Sequence, residues 1–143
     1  MHPQQHSAHN KCRKILVIDD NLFILNLIKN ILRSPETILS TSQSGEEGYE
    51  LACIQRPDVI ILDRRLEDTN GDKILQRLKS NPKLENIPVA MISSDDNDKH
   101  ILQSLAFGAN DYIVKPFNAK TLTLKVKRLI EKGAKGHDNF FFV

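Results

Sequence analysis

The sequence predicts an α/β protein: one doubly wound parallel sheet of five strands, wrapped by five helices. Two observations carry this. Short, largely β-branched apolar runs recur at residues 15–18, 38–39, 59–62, 87–92 and 112–114, and between them apolar residues return at helical spacing. The strongest runs do not alternate with polar residues, so they read as strands covered on both faces, a property of parallel sheets. A third observation concerns chemistry, because four of the runs end in Asp19-Asp20, Asp63, Ser93 and Lys115. In a parallel sheet those ends share one rim, where ligands of open α/β sheets bind.

At 143 residues the chain is one domain by length and can bury most of the surface its unfolded form exposes. Its 20 Lys and Arg against 18 Asp and Glu give a net charge of +2, too balanced for a nucleic-acid footprint. Cys12 and Cys53 have neither the number of a disulfide framework nor the spacing of a metal site, which points to a reducing, cytoplasmic setting. The opening segment lacks an apolar signal core, and no stretch reaches the roughly 18 apolar residues of a membrane span. Neither nucleic acid nor membrane is therefore expected as a partner.

Residues 1–11 carry His2, His6 and His9 among Gln, Ser, Asn and Pro, and are expected to be disordered. The histidines have no interleaved carboxylate or thiolate and are a minor candidate for metal binding. Strand one, 15–18, runs into Asp19-Asp20-Asn21. Apolar residues at 24, 27, 28, 31 and 32 then predict a helix over 22–32, capped by Asn21 or Asp20 and stopped by Ser34-Pro35. Residues 36–40 form a weaker second strand, suited to a sheet edge. Ser44 and Glu47 have capping-box spacing and open a helix to about Gln55, with Tyr49, Ala52 and Cys53 on its buried side. Cys53 reads there as a small core group.

The third strand ends on Asp63, and residues 64–71 follow as a loop too charged to be buried. A helix over 72–79 puts Ile74, Leu75 and Leu78 on one face and closes at Asn81-Pro82. The fourth strand, 87–92, ends in Ser93-Ser94. After a polar loop, a helix over 99–107 stops at Gly108, a natural C-cap. The fifth strand leads into Lys115-Pro116, and the last helix, 119–132, places Leu122, Val126, Leu129 and Ile130 at helical spacing before Gly133. Periodicity establishes this alternation but not the order of the strands.

On the shared rim three carboxylates, a hydroxyl and an ammonium would meet. Two unit charges about 4 Å apart interact by about 4 kcal/mol at an effective dielectric of 20, so the crowded acids require a cation. An oxygen-seeking divalent ion such as Mg²⁺ suits them. Asp63 is then a nucleophile toward phosphorus, giving an acyl phosphate; Lys115 and the ion neutralise the phosphoryl oxygens, and Ser93 donates to the same group.

Residues 15–20, 58–63, 88–93 and the run Asp111-Tyr112-Ile113-Val114-Lys115-Pro116-Phe117 resemble the receiver domain of two-component response regulators. The resemblance covers about residues 14–131, which sets a receiver domain over 12–133 and a tail over 134–143. It implies a flavodoxin-like sheet of order 2-1-3-4-5. It also implies that Asp63 is a phosphoacceptor loaded from a sensor histidine kinase or a histidine phosphotransfer protein. Mg²⁺ or Mn²⁺ would be bound by Asp20, Asp63 and the backbone carbonyl of Arg65, with Asp19 acting mainly through water. Ser93 would follow the phosphoryl group, Tyr112 would be the aromatic rotamer switch, and Lys115-Pro116 would be a cis peptide. Such a receiver catalyses only its own phosphorylation and dephosphorylation. Its output would pass through the fourth helix, fifth strand and fifth helix to a downstream target, and a homodimer is a further expectation.

Departures from the family pattern lie in the loop after Asp63. Glu67 stands where Pro is common and Asn70 where Asp usually precedes Gly, which predicts a less rigid loop. Arg65 could contact the phosphoryl group or block attacking water; an unchanged phosphorylated lifetime in Arg65→Ala would remove that idea. Beyond Gly133, Phe140, Phe141 and Phe142 suggest either a contact surface or a tail folded back on its own domain. Residues outside the receiver are too few for an output domain, so a stand-alone receiver is expected, with a receiver belonging to a longer regulator or hybrid kinase as the alternative. An aspartyl-phosphate phosphohydrolase is remote because Arg65 occupies the place of its second acid. FMN binding is equally remote because Asp19-Asp20 would repel the phosphate.

Overall fold

In the computed structural model, residues 12–134 are described. The expectations for residues 1–11 and for the Phe-rich tail fall outside them. Strand β1 (Arg13–Ile18) leads into helix α1 (Leu22–Leu32), β2 (Thr37–Ser42) into α2 (Gly45–Gln55), and β3 (Val59–Asp63) into α3 (Gly71–Ser80). Strand β4 (Val89–Ser93) leads into α4 (Asp98–Ala106), and β5 (Asp111–Val114) into α5 (Ala119–Ala134). The sheet is parallel throughout, in the order β2-β1-β3-β4-β5, so the chain reverses direction across the sheet between β1 and β3. All strand carboxyl ends therefore point to one rim, and β2 is an edge as its weak apolar content predicts.

Burial of β3 and β4 is complete along their length, which explains their unbroken apolar sequences. Alternate strand residues feed two cores. Leu16, Ile18, Ile60, Leu62, Met91 and Tyr112 pack with Ala52 of α2 and Ile74, Leu75 and Leu78 of α3, and Ile101 of α4 leans on the same face. On the other face Val17, Ile61, Ala90, Ile92 and Ile113 meet Leu25 and Ile28 of α1 and Leu122, Val126 and Leu129 of α5. A buried Leu or Ile contributes about 1.5–3 kcal/mol by leaving water, so these two layers supply the main drive for the fold.

Helix ends follow the local chemistry of the chain. Asn21 accepts the Ile24 N–H at 3.2 Å, Asn70 the Asp72 N–H at 2.7 Å, and Asn97 the Lys99 N–H at 2.9 Å, each satisfying an orphan donor. Ser44 accepts the Glu47 N–H at 3.2 Å, but the reciprocal half of the expected capping box is replaced: the Ser44 N–H goes to Ser42 Oγ at 3.3 Å. Gly108, one residue past the α4 cap Phe107, has φ +113°, a conformation that side chains with a Cβ rarely adopt.

Three expectations are corrected. Cys53 is exposed and Tyr49 only partly buried, because α2 approaches the sheet through Gly45 and Gly48 together with Ala52, which is buried as expected. Strand β2 begins at Thr37 and extends to Ser42, beyond its apolar pair, because pairing with β1 continues to Ile18. The segment after β3 is not wholly exposed: Arg64 is 8% accessible and turns inward. Among the described residues no helix is long and apolar enough to cross a membrane.

Candidate functional site

The rim gathers Asp19 and Asp20 after β1, Asp63 at the end of β3, Ser93 at the end of β4 and Lys115 after β5. Asp19 and Asp63 are buried, Asp20 is half-buried, and one oxygen from each of the three lies within 4.8 Å of the others. Lys115 Nζ reaches Asp19 Oδ2 at 2.9 Å and Asp63 Oδ2 at 3.3 Å. The Lys115–Pro116 bond is cis, as expected.

Backbone donors fix the carboxylates. The Asn21 N–H donates to Asp19 Oδ1 at 2.8 Å, and the Arg65 N–H donates to Asp63 Oδ1 at 3.0 Å. Burial is the largest influence on Asp63 and, with Asp19 beside it, pushes its carboxyl up to about 6, against the Arg65 N–H and Lys115. Burial disfavours the Lys115 ammonium, yet the hydrogen bond to Asp19 and the charge of Asp63 outweigh it and hold the group above its usual value. One ammonium faces three acids, and their oxygens are hard donors turned to one place, which fits a small divalent cation.

Backbone room at the site depends on Gly71. A Cβ there would stand 2.1 Å from the Asp63 carbonyl oxygen, and the Gly71 N–H donates to the Arg64 carbonyl at 2.7 Å. The loop expected to be loosened by Glu67 and Asn70 has ties of its own. Asp68 accepts the Gly45 and Glu46 N–H groups at 2.9 and 3.1 Å, capping α2 from outside, and these donors hold its carboxyl below the ordinary value.

Ser93 is buried and accepts the Asp95 N–H at 3.0 Å. The Tyr112 side chain is packed in the core, and its hydroxyl donates to the Asp95 carbonyl at 2.8 Å. Arg65 is exposed, its guanidinium 3.9 Å from the Asp95 carboxylate. A cleft of about 350 Å³ opens here between Arg65, Ser93, Ser94, Asp95, Asn97 and His100.

Sequence reasoning missed a partly buried polar net beside the site. Arg64 Nη1 meets Asp95 Oδ2 at 3.1 Å, and Arg64 Nε lies 3.3 Å from Asp72 Oδ2 as an ion-pair contact without hydrogen-bond alignment. Ser104 donates to Asp72 Oδ1 at 2.8 Å, and His100 Nδ1 contacts Asp95 Oδ2. A signal was present: Asp72 stands three residues before Leu75, on the apolar stripe of α3.

A family model for the response regulator receiver domain matches residues 15–127. The transcriptional regulatory protein KdpE of Staphylococcus aureus is 34% identical over 124 residues, which cover 87% of this chain and 52% of that protein. The chemotaxis protein CheY-3 of Vibrio cholerae is 29% identical over 126 residues, covering 86% of this chain and 95% of that protein. The chain thus spans about half the length of the transcriptional relative and nearly all of the chemotaxis one. Among solved structures, the chemotaxis response regulator CheY4 of Vibrio cholerae superposes with a TM-score of 0.78 at 25% identity, covering 83% of this chain and 99% of that one. Receiver domains are signalling domains that interact with histidine kinases or phosphotransfer proteins and generally bind Mg²⁺ at an acidic pocket. With its sheet order, its rim of acids and a family match over most of its length, the chain belongs to the receiver domains of two-component response regulators.

Proposed function

We propose that Asp63 is the phosphoacceptor of a two-component phosphorelay, loaded from a sensor histidine kinase or a histidine phosphotransfer protein. The observation that carries this reading is Lys115 Nζ held between Asp19 and Asp63, at 2.9 and 3.3 Å, within a three-carboxylate cluster. An Asp63 oxygen attacks the phosphorus of the donor, the bond from phosphorus to the leaving nitrogen or oxygen breaks, and an acyl phosphate remains on the protein. Lys115 follows the charge onto the phosphoryl oxygens, and Ser93 donates its hydroxyl to one of them. Asp20, Asp63 and the backbone carbonyl of Arg65 would hold Mg²⁺ or Mn²⁺, with Asp19 acting mainly through water. When bound, the ion supplies charge neutralisation for the transferring phosphoryl group.

Ser93 and Tyr112 form the switch in this reading. A Ser93 hydroxyl turned to a phosphoryl oxygen no longer accepts the Asp95 N–H in the same way, so the loop carrying the Asp95 carbonyl responds and Tyr112 with it. The output surface is the α4-β5-α5 face, where Leu102 and Leu124 are 65% and 49% exposed and available to a downstream target or a second copy. Arg65 would meet the phosphoryl group from the cleft side and set its lifetime.

Incubation with a small acyl phosphate and Mg²⁺, followed by intact mass, tests the central claim. The expected result is a gain of one phosphoryl group, absent in Asp63→Ala. No gain in the wild-type chain would overturn it.

A further inference from the structure

We infer that Arg64 is a positioning residue of the switch: its buried guanidinium ties Asp72 of α3 to Asp95 of the β4–α4 loop, and so holds the Asp95 carbonyl where the Tyr112 hydroxyl reaches it. The inference rests on the reading of Asp63 as phosphoacceptor and Tyr112 as switch.

Taking a guanidinium out of water is strongly unfavourable unless opposite charges and hydrogen bonds replace the solvent. Here the replacements come from two separate elements. Asp72 lies in the first turn of α3 and is itself buried, whereas Asp95 lies in the loop after β4; both turn an oxygen to Arg64 within 3.3 Å. The arm that connects them is planar and two-pronged, so one residue faces both acids at once, hydrogen-bonding Asp95 and pairing with Asp72 by charge. Each acid is in turn fixed to α4, Asp72 by the buried Ser104 hydroxyl and Asp95 by His100. Asp95 Oδ1 also accepts the Asn97 N–H at 3.0 Å. The backbone of Arg64 continues the rigid edge of β3, its N–H bonded to the Ile92 carbonyl at 2.9 Å. The guanidinium is therefore a fixed post, and the loop hangs from it.

Removing that post leaves the buried Asp72 and the part-buried Asp95 facing each other across an emptied place, and leaves the Asp95 carboxylate to His100, the Asn97 N–H and the more distant Arg65, a weaker hold on the loop. With the post in place, the Asp95 carbonyl is presented to Tyr112 before a phosphoryl group arrives. Arg64 thus raises the unphosphorylated population in which Tyr112 is buried and bonded to the Asp95 carbonyl.

The test uses the full chain labelled with 3-fluorotyrosine. Its two tyrosines are Tyr49 and Tyr112, and Tyr49→Phe assigns the signals. The paired replacement Arg64→Met with Asp72→Leu removes the charge pair while keeping apolar volume, and Asp95→Asn removes the carboxylate charge that Arg64 pairs with while keeping the backbone carbonyl. Fluorine NMR without any phosphoryl mimic should show the ratio of buried to exposed Tyr112 falling about threefold to tenfold in both variants, the range that the net contribution of one hydrogen bond sets. Arg64→Lys should fall in between. Beryllofluoride with Mg²⁺ should give a bound-fluoride signal in each variant, which shows that the phosphoacceptor site is intact. An unchanged Tyr112 ratio in the double variant, or in Asp95→Asn should the double variant fail to fold, overturns the inference while the bound-fluoride signal leaves the phosphoacceptor reading intact. Absence of the bound-fluoride signal in the wild-type chain overturns the phosphoacceptor reading and the inference together.

Discussion

Replacing Asp63 by Asn should stabilise the metal-free protein. The carboxyl is pushed from its ordinary 3.8 up to about 6, so the folded state binds the proton more tightly than the unfolded chain does. Between those values the unfolded state carries fewer protons, and wild-type stability falls as pH rises. The favourable contribution is thus complete below the unfolded value and lost once pH exceeds the folded one. About two pH units correspond to about 3 kcal/mol, and because the rim is open to water on one side, screening reduces the expected difference to about 2 kcal/mol. The amide of Asp63→Asn keeps the shape and an oxygen for the Arg65 N–H but has no charge to bury or to set against Asp19. Urea unfolding followed by far-UV circular dichroism in a chelator should therefore find Asp63→Asn more stable by about 2 kcal/mol at pH 7.5, with no advantage near pH 4. Added Mg²⁺ should close the gap by stabilising the wild-type chain more. A variant no more stable than wild type at pH 7.5, or an advantage that persists undiminished at pH 4, would refute the electrostatic account of this site.

Three further outcomes follow from the geometry. Lys115→Met should slow phosphorylation by small donors about 100-fold, as loss of a charge-stabilising donor does, yet tighten Mg²⁺ binding because Asp19 and Asp63 lose their ammonium; stopped-flow phosphorylation and a metal titration check the two signs. Gly71→Ala should destabilise the fold by about 3 kcal/mol or more, since the added Cβ meets backbone and not a movable side chain; the urea midpoint reads it. Asp68→Ala should cost about 1 kcal/mol by uncapping α2, and because the Asp68 carboxyl is held below its ordinary value, the cost should be present at neutral pH and vanish as pH falls through that range, which thermal melts across pH would follow.

Much of the fold was legible because its strands are buried on both faces. Val59, Ile60, Ile61 and Leu62 need no partner information to read as a central strand, and Asn21, Ser44 and Gly108 punctuate the helices by their own chemistry. The buried side of α2 was read correctly at Ala52 but misread at Cys53, for a definite reason. It is made of Gly45, Gly48 and Ala52, and a Cβ on Gly48 would stand 2.5 Å from Ile18 Cδ1, so close approach substitutes for apolar bulk and leaves no periodic signal. The acids and Lys115 were legible because topology alone carries strand ends to one rim. Arg64 was not, since a charged residue after a strand reads as solvated until its partners are known, and Asp72, Asp95 and Ser104 come from three different elements.

The sheet also acts as a partition. Arg64, Asp72 and Ser104 lie with the α3 and α4 side, whereas α1 and α5 meet the sheet through Leu25, Ile28, Leu122, Val126 and Leu129, and the Lys125–Asp111 pair on that side is only part-buried. Electrostatic disturbance at Asp63 accordingly meets a network of charged side chains on the α3 and α4 side and mainly apolar packing beneath α1 and α5. The apolar layer gives the sheet a packed backing, so the charges that answer to Asp63 can be altered from α3 and the β4–α4 loop without opening that core.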